Sequence, residues 1–173
     1  MSLQELAKQI KAAAYLEGEF ILRSGKKSNY YLDKYLFETN SVILDKLSDA
    51  FAQKIKKDYP NTDMLAAPEL GAVAIVAAVS IKSGINFVIV RKAEKDYGTT
   101  KLIEGTIKGS KNVLLIEDIL TTAGAALKSA NILRDAGYNV TAILGTIDRL
   151  QGAEENIVKE GFSYDTLLTI KDL

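Results

Sequence analysis

The feature that most constrains the fold is a regular alternation of apolar runs and helical patterns after residue 63. Short runs rich in valine, isoleucine and leucine predict strands at 64–67, 85–90, 112–117, 139–147 and 164–170. Stretches whose apolar residues recur at helical spacing stand between most of these runs. Because near-continuous apolar strands are typical of a parallel sheet covered by helices on both faces, the pattern predicts an α/β fold.

The N-terminal part of the chain follows a different pattern. Residues 2–16 have apolar positions at helical spacing, and residues 19–35 are interpreted as two short strands joined by a glycine-containing turn. A second helix is expected to begin at Asn40 or Ser41, either of which can cap it. Since 173 residues is an ordinary length for one domain, we expect a single domain over 1–173.

Composition excludes several classes of site. The chain has no cysteine and no histidine, which removes disulfides, thiolate and histidine metal sites, cysteine nucleophiles and the Ser-His-Asp triad. The 22 basic and 22 acidic residues give no net charge, so we expect no nucleic-acid partner. No apolar run reaches the roughly 18 residues that a membrane span needs, so we expect no membrane partner and a cytoplasmic location.

The most informative motif is VLLIEDILTTAGAAL at 113–127, in which an apolar strand leads into Glu117 and Asp118. Thr121, Thr122 and a run of small residues then open the next predicted helix. A helix N-terminus favours an anion and small residues let a phosphate approach the backbone, so this turn predicts a phosphate pocket. Ionised carboxylates only accept hydrogen bonds, which suits the two hydroxyls of a ribose beside that phosphate. The simpler alternative, two acids that cap the helix and bind nothing, does not account for the hydroxyl and glycine run.

Residues 91–111 interrupt the alternation with a long polar stretch that has no helical period. Connections longer than about 12–15 residues are uncommon in compact domains and are often functional. Two interpretations stay open for this segment, a mobile functional loop and a surface β-arm without a chemical role.

The 113–127 motif resembles the phosphoribosyl-diphosphate-binding motif of the type I phosphoribosyltransferases, in which an apolar strand, two acids and a T-T-x-G run follow in that order. Other segments resemble those of the orotate-specific members of that family. They are an N-terminal substrate segment at 20–34, a diphosphate loop and its helix at 68–80, a mobile catalytic loop at 90–98 and a base-contacting segment at 147–155. The resemblance implies a twisted, mostly parallel sheet flanked by helices, with a small substrate-binding hood at 1–38 and the mobile loop at 91–111.

The resemblance also implies a reaction. Orotate and phosphoribosyl diphosphate would give orotidine 5′-phosphate and diphosphate, with Mg²⁺ as a cofactor held mainly by the diphosphate rather than by side chains. In the family the mobile loop reaches into the neighbouring subunit's site, which implies a homodimer. Two other functions stay open, namely transfer to a purine or uracil and a non-catalytic regulator that senses phosphoribosyl diphosphate.

Residue roles follow from the same resemblance. Lys95, Glu117 and Asp118 are the expected catalytic residues, and the two acids would hold the ribose hydroxyls. Phosphoribosyl diphosphate would contact Arg91, Lys92, Lys95, Tyr97, Glu69, Leu70, Gly71, Ala72, Glu117, Asp118, Ile119, Leu120, Thr121, Thr122, Ala123, Gly124 and Ala125. Orotate would contact Thr121, Arg149, Lys26, Tyr30 and Tyr31.

Several of these positions have a second interpretation or depart from the family pattern. Tyr97 stands where the family's loop commonly carries a histidine. Since a phenol with a pKa of about 10 is a poor proton shuttle at neutral pH, Lys95 is the better candidate for a general acid. Arg149 is alternatively a surface arginine at a helix cap, and Tyr30 and Tyr31 are alternatively aromatic residues of a sheet.

Overall fold

The computed structural model describes residues 2–21, 25, 27–92, 101–105, 109 and 111–173. Three of the predicted site residues, Lys26, Lys95 and Tyr97, lie outside this part of the chain. The helices are α1 (Leu3–Ala14), α2 (Lys34–Glu38), α3 (Ser41–Asp58), α4 (Val73–Ser83), α5 (Gly124–Asp135) and α6 (Ala153–Lys159). The strands are β1 (Tyr15–Ile21), β2 (Lys27–Leu32), β3 (Met64–Pro68), β4 (Phe87–Val90), β5 (Ile103–Glu104), β6 (Asn112–Leu120), β7 (Asn139–Asp148) and β8 (Tyr164–Thr169).

The main sheet of the described residues has the strand order β5-β4-β3-β6-β7-β8. Each neighbouring pair from β4 to β8 is parallel, and only the short β5 runs antiparallel to its neighbour β4. The predicted α/β fold with a mostly parallel sheet is therefore confirmed.

Two hydrophobic cores lie on opposite faces of this sheet. Helices α1 to α4 cover one face, where Phe37, Phe51 and Leu114 are fully buried. Helices α5 and α6 cover the other face, where Leu115 and Leu133 are fully buried. Since successive side chains of a strand point to opposite faces, Leu114 and Leu115 of β6 enter different cores. Burial on both faces explains why the strands are almost continuously apolar.

The segment before α3 differs from its prediction in two ways. Strand β1 starts with Tyr15 immediately after α1, because Tyr15 pairs with Leu32 in the antiparallel β1–β2 ladder. The unpredicted helix α2 follows Asp33, whose side chain accepts a hydrogen bond from the N–H of Tyr35 at 3.2 Å. A helix of five residues is too short to produce a recognisable helical period. The hood at 1–38 stays a prediction.

Two segments of the main sheet also differ from expectation. Strand β6 runs to Leu120 instead of ending at 117, because its ladder with β7 continues to the pair Leu120–Asp148. Within 91–111, for which the sequence leaves both a mobile loop and a surface β-arm open, the described residues contain the short strand β5, which pairs with β4 through Val90 and Ile103. Among the helices of the described residues, none combines the length and the apolar character that crossing a membrane requires.

Candidate active site

The acid pair lies where β6 extends beyond its neighbour β3. The last β3–β6 pair joins Ala66 to Leu115, whereas β6 stays paired with β7 up to Leu120. Glu117 and Asp118 therefore stand beside the loop that follows β3, at the carboxyl edge of the sheet, where ligands of parallel α/β sheets bind. Both residues are nearly buried, with exposed fractions of 6% and 3%.

A cavity of about 310 Å³ opens at this edge. Its lining consists of Lys34, Tyr35, Pro68, Glu69, Leu70, Gly71, Lys92, Glu117, Asp118, Ile119, Thr121, Ala123, Gly124, Ala125 and Ala126. Most of the residues predicted to contact phosphoribosyl diphosphate therefore surround one cavity. Ala72 and Leu120, also predicted, instead have fully buried side chains in the two cores.

The turn into α5 forms the end of the cavity that is suited to an anion. Ala123 precedes the helix with a φ of 60°, and its methyl side chain cannot cap the helix. The carbonyl oxygen of Thr122 accepts a hydrogen bond from Nδ2 of Asn156 at 3.1 Å, which ties the turn to α6. The first N–H groups of a helix have no partner within it and lie at the positive end of its dipole. An anion bound beside Thr121 would satisfy them.

Asp118 is held in place by a cation from α2. Its Oδ2 atom forms an ion pair with Nζ of Lys34, and its Oδ1 atom accepts a hydrogen bond from the N–H of Ile119 at 2.5 Å. Both charged groups lie over the backbone of Gly71, where a Cβ atom would overlap the carboxylate and the ammonium. Burial, the largest single effect, lowers the pKa of Lys34, but the charge and hydrogen bond of Asp118 together with the smaller effects of Glu38 and Tyr35 outweigh it, so the pKa lies above its usual value. Lys34 is therefore protonated at neutral pH.

Two further buried carboxyl groups adjoin Asp118. Glu38, the last residue of α2, is 1% exposed, and its Oε1 atom has no hydrogen-bond partner among the described residues. Burial, followed by the negative charge of Asp118, raises the pKa of Glu38 to about 8. The same two causes raise the pKa of Glu117, whose Oε2 atom also lacks a partner in the described ranges. With these two acids largely protonated, the pair of Asp118 and Lys34 leaves the free site with little net charge.

The loop after β3 is fixed to the end of β4. The N–H of Glu69 donates to the carbonyl oxygen of Val90 at 2.9 Å, and Oε1 of Glu69 accepts from the N–H of Lys92 at 2.8 Å. The carbonyl oxygen of Lys92 in turn accepts from Nζ of Lys128 on α5 at 2.7 Å. These bonds join the loop, the end of β4 and α5 around the cavity.

Tyr30 and Arg149, both predicted to contact the base, lie together. Nη2 of Arg149 donates to the Tyr30 hydroxyl at 3.3 Å, and its guanidinium lies 5.2 Å from the centre of that ring. Tyr30 stacks on Tyr15 with ring centres 4.9 Å apart, and this contact holds the Tyr30 ring in place. The backbone N–H of Arg149 donates to the carbonyl oxygen of Leu120 at 2.8 Å, which anchors this group next to β6. Tyr31 points to the opposite face of β2 and packs on another ring.

The guanidinium of Arg149 also has one donor that no group in the described part of the chain accepts from. This donor is its buried Nε atom. A buried donor without a partner is costly, and a ligand that accepts from it would remove that cost.

Sequence reasoning missed the contribution of α2 to the cavity. Lys34 and Tyr35 line it, and Glu38 lies against Asp118. Lys34 precedes Asp118 by 84 residues, so no local spacing connects the two. The available signal was the position of Lys34 at the end of the 20–34 segment, which resembles a substrate segment.

Arg91, which is predicted to contact phosphoribosyl diphosphate, directly follows β4. Its backbone N–H donates to the carbonyl oxygen of Leu102 at 2.8 Å.

Known proteins resemble this chain over most of its length. The Phosphoribosyl transferase domain family matches residues 37–170. The orotate phosphoribosyltransferase of Methanocella arvoryzae is 42% identical over 171 residues, which cover 99% of this chain and 95% of that protein. That of Methanocaldococcus jannaschii is 44% identical over 156 residues, or 90% and 87% of the two chains. The structure of Mycobacterium tuberculosis orotate phosphoribosyltransferase in complex with 5-phospho-α-D-ribosyl 1-diphosphate has a TM-score of 0.83 and 26% identity, and the match covers 98% of this chain and 97% of that one.

Proposed function

Because this chain belongs to the phosphoribosyltransferase family, and within it to the orotate phosphoribosyltransferases, we propose that the cavity at Asp118 is where the phosphoribosyl group is transferred to orotate. The donor is phosphoribosyl diphosphate, and the products are orotidine 5′-phosphate and diphosphate. One observation carries this placement of the reaction: a buried acid pair and an uncapped helix N-terminus share one cavity.

The acid pair and the helix end address different parts of the same ligand. The backbone N–H groups at 123–125 and the hydroxyl of Thr121 bind the 5′-phosphate, because they are donors at the positive end of a helix. The carboxylate of Asp118 repels phosphate but accepts hydrogen bonds from hydroxyls, and a protonated Glu117 still accepts through its carbonyl oxygen. Glu117 and Asp118 therefore hold the ribose diol, and this fixes the anomeric carbon relative to the rest of the cavity.

Charge develops on both sides of the bond that breaks. The ribose becomes positive as the diphosphate leaves, and the carboxylate of Asp118, next to the ring, stabilises that charge. The departing diphosphate becomes more negative, and Lys92 lies on the side of the cavity where the loop after β3 would receive it. The predicted contributions of Arg91, Lys95 and Tyr97 to this leaving group remain part of the proposal.

Orotate binds on the side of Tyr30 and Arg149. A guanidinium recognises a planar anion better than an ammonium does, because its donors form a rigid fork. The spare Nε donor of Arg149 is available for a carboxylate or carbonyl oxygen of the pyrimidine. The predicted contacts of orotate with Thr121, Lys26 and Tyr31 also belong to this proposal.

Magnesium is proposed as a cofactor that the substrate brings with it. No group of three or more acidic side chains suited to a metal ion exists among the described residues. A cavity with only a few carboxylates fits Mg²⁺, which proteins usually hold through one or two carboxylates together with substrate phosphates. Glu69 and Asp118 are the carboxylates of the cavity that would contribute, and the ion would neutralise charge on the leaving diphosphate.

The homodimer and the cytoplasmic location that the family resemblance implies are part of the same proposal. In a dimer of this kind the segment at 91–111 would complete the site of the neighbouring subunit. Sedimentation at several protein concentrations measures this, with a dimer as the expected species.

A panel of acceptor bases tests the proposed function. Purified protein is given phosphoribosyl diphosphate with orotate, uracil, adenine or hypoxanthine, with Mg²⁺ and with excess chelator. We expect the nucleotide product with orotate alone and only in the presence of Mg²⁺. Turnover of a purine or uracil in place of orotate would replace the proposed acceptor, and binding of phosphoribosyl diphosphate without any turnover would favour a regulator.

A further inference from the structure

The loop predicted to receive the diphosphate carries no basic side chain of its own. Residues 68–72 read Pro, Glu, Leu, Gly and Ala, and the one charge among them is negative. A diphosphate bound against this loop therefore needs cations from other segments. Lys92 is one such residue in the described part of the cavity lining, and Lys34 is the other.

Lys34 places its charge directly over that loop. A Cβ atom on Gly71 would overlap Nζ of Lys34, so the ammonium occupies the space that any other residue at 71 would fill with its own side chain. The missing side chain of Gly71 and the long side chain of Lys34 are therefore complementary. The ammonium stands at the boundary between Asp118 and the diphosphate side of the cavity.

The two partners of the Lys34–Asp118 ion pair differ in their freedom to move. The Asp118 side chain is 5% exposed and also accepts the N–H of Ile119, whereas the Lys34 side chain is 31% exposed. When the ribose hydroxyls occupy the acceptor positions of Asp118, the ammonium of Lys34 loses some of its interaction with that carboxylate. It can turn toward a diphosphate at Gly71 by rotating its own flexible stem, and no backbone has to move.

We propose that Lys34 is a diphosphate-binding residue that exchanges partners, pairing with Asp118 in the free protein and with the diphosphate over Gly71 in the substrate complex. The proposal rests on the proposed function of the cavity as the phosphoribosyl-diphosphate site. Lys34 neutralises Asp118 while the site is free, and it supplies a cation to the leaving group once the site is filled.

Binding of two partial ligands separates this role from a purely structural one. Ribose 5-phosphate has the diol and the 5′-phosphate but no diphosphate, and inorganic diphosphate with Mg²⁺ has only the latter. For Lys34→Met we expect diphosphate to bind about tenfold or more weakly, the scale of one lost hydrogen bond to a charged group. Ribose 5-phosphate should bind as well as before or more tightly, because Lys34 no longer competes for Asp118.

Controls keep the result interpretable. Lys82→Met is the matched control, because Lys82 is 33% exposed, pairs with two acids, and lies on α4 outside the cavity lining. It should change neither affinity. Lys34→Arg should recover most of the diphosphate affinity, and Lys34→Gln replaces Lys34→Met in the assay if the methionine variant does not fold.

Two results would overturn the proposal. One is an equal loss of affinity for both ligands, which indicates a general disturbance of the site. The other is unchanged diphosphate affinity in the methionine and glutamine variants. Both titrations are independent of turnover, so an inactive wild-type protein that still binds both ligands would refute the proposed reaction without deciding the role of Lys34.

Discussion

The two halves of the cavity are built in opposite ways. The half proposed for the sugar and its 5′-phosphate comes from one continuous stretch, Glu117 to Ala125, at the end of β6 and the start of α5. The half proposed for the diphosphate is assembled from α2, the loop after β3 and Lys92 after β4. The proposed base site adds Tyr30 and Arg149, which contact each other outside the cavity lining. A continuous stretch keeps its geometry through local hydrogen bonds, whereas the assembled half depends on the packing of separate elements.

This difference assigns different tasks to the two halves. The ribose phosphate is the constant part of the reaction, and in the proposed site a strand that leads into a helix N-terminus would hold it in one position. The assembled half contains Lys34 and Lys92 and adjoins the proposed base site, so in the proposal it determines which leaving group and which base are accepted. Changes at the boundary between the halves should therefore have the largest effects.

Gly71→Ala should have the largest effect, because Gly71 lies where the halves meet. The added methyl group would overlap the Asp118 carboxylate and the Lys34 ammonium. Displacing these groups by about 1 Å is expected to reduce turnover roughly a hundredfold. Gly124→Ala is the matched control for stability, since its Cβ would meet only Thr122 Oγ1 at 3.9 Å. Equal melting temperatures for the two variants would contradict the predicted clash.

Asp118→Asn tests the continuous half alone. The amide keeps the shape of the side chain but removes the charge that faces the ribose and Lys34. Turnover should fall by at least about tenfold, the lower end for the loss of electrostatic stabilisation of a transition state. Asp135→Asn, an exposed change on α5, should retain wild-type turnover. A wild-type rate in the Asp118 variant would remove this residue from the proposed site.

Arg149→Lys tests the base side of the assembled half. A lysine keeps the charge but loses the planar fork that contacts Tyr30. The KM for orotate should rise by about tenfold, as expected when a hydrogen bond to a charged group is lost. The KM for phosphoribosyl diphosphate should change little. Arg134→Lys is the control, since Arg134 also lies over an aromatic ring, that of Phe162 at 4.9 Å, but on the far end of α5. If both KM values rose together, Arg149 would be supporting the fold rather than the base.

Glu38→Gln should have the smallest effect, and the effect should depend on pH. The pKa of Glu38 is raised from its ordinary value of about 4.5 to about 8 in the folded protein. Between these values the unfolded chain releases the proton first, so the stability of the wild-type protein should fall as the pH rises from about 5 to 8. The variant cannot titrate at 38, and its melting temperature at pH 8.5 should exceed that of the wild type by at least about 2–4 °C, the shift that about 1 kcal/mol produces in a chain of this size.

Thermal melts at pH 5.5 and pH 8.5 measure this difference. Asp118 and Lys34 face Glu38 in both proteins, so the difference between the wild type and the variant reports the Glu38 proton. Glu160→Gln, an exposed change after α6, should follow the wild-type curve at both pH values. Parallel curves for all three proteins would mean that the buried carboxyl group is charged in the folded state.

The sequence predicts the continuous half far better than the assembled half. In 113–127, apolar residues, two acids and small residues follow each other within one strand and one helix turn, so local chemistry is sufficient to indicate a ribose-phosphate site. Even there the predicted strand ends too early, because the ladder from Glu117 to Leu120 depends on pairing with β7. Local residue types do not contain that information.

The assembled half depends on contacts between distant segments. Lys34 meets Asp118 only because the short helix α2 packs beside β6, and the need for glycine at 71 appears only when both charged groups are in place. Tyr30 and Arg149 were each singled out from separate segments, but their contact depends on the β1–β2 hairpin meeting the end of β7. Spacing along the sequence cannot predict such contacts, whereas a resemblance to known segments points to the residues involved.

A crystal structure of the protein with ribose 5-phosphate tests the division of the cavity most directly. The account predicts phosphate oxygens within about 3 Å of the backbone N–H groups at 123–125, and both ribose hydroxyls on Glu117 and Asp118. It also predicts that Lys34 is displaced from Asp118 toward Gly71. A phosphate bound against the loop after β3, or a ribose that leaves the Lys34–Asp118 pair intact, would contradict it.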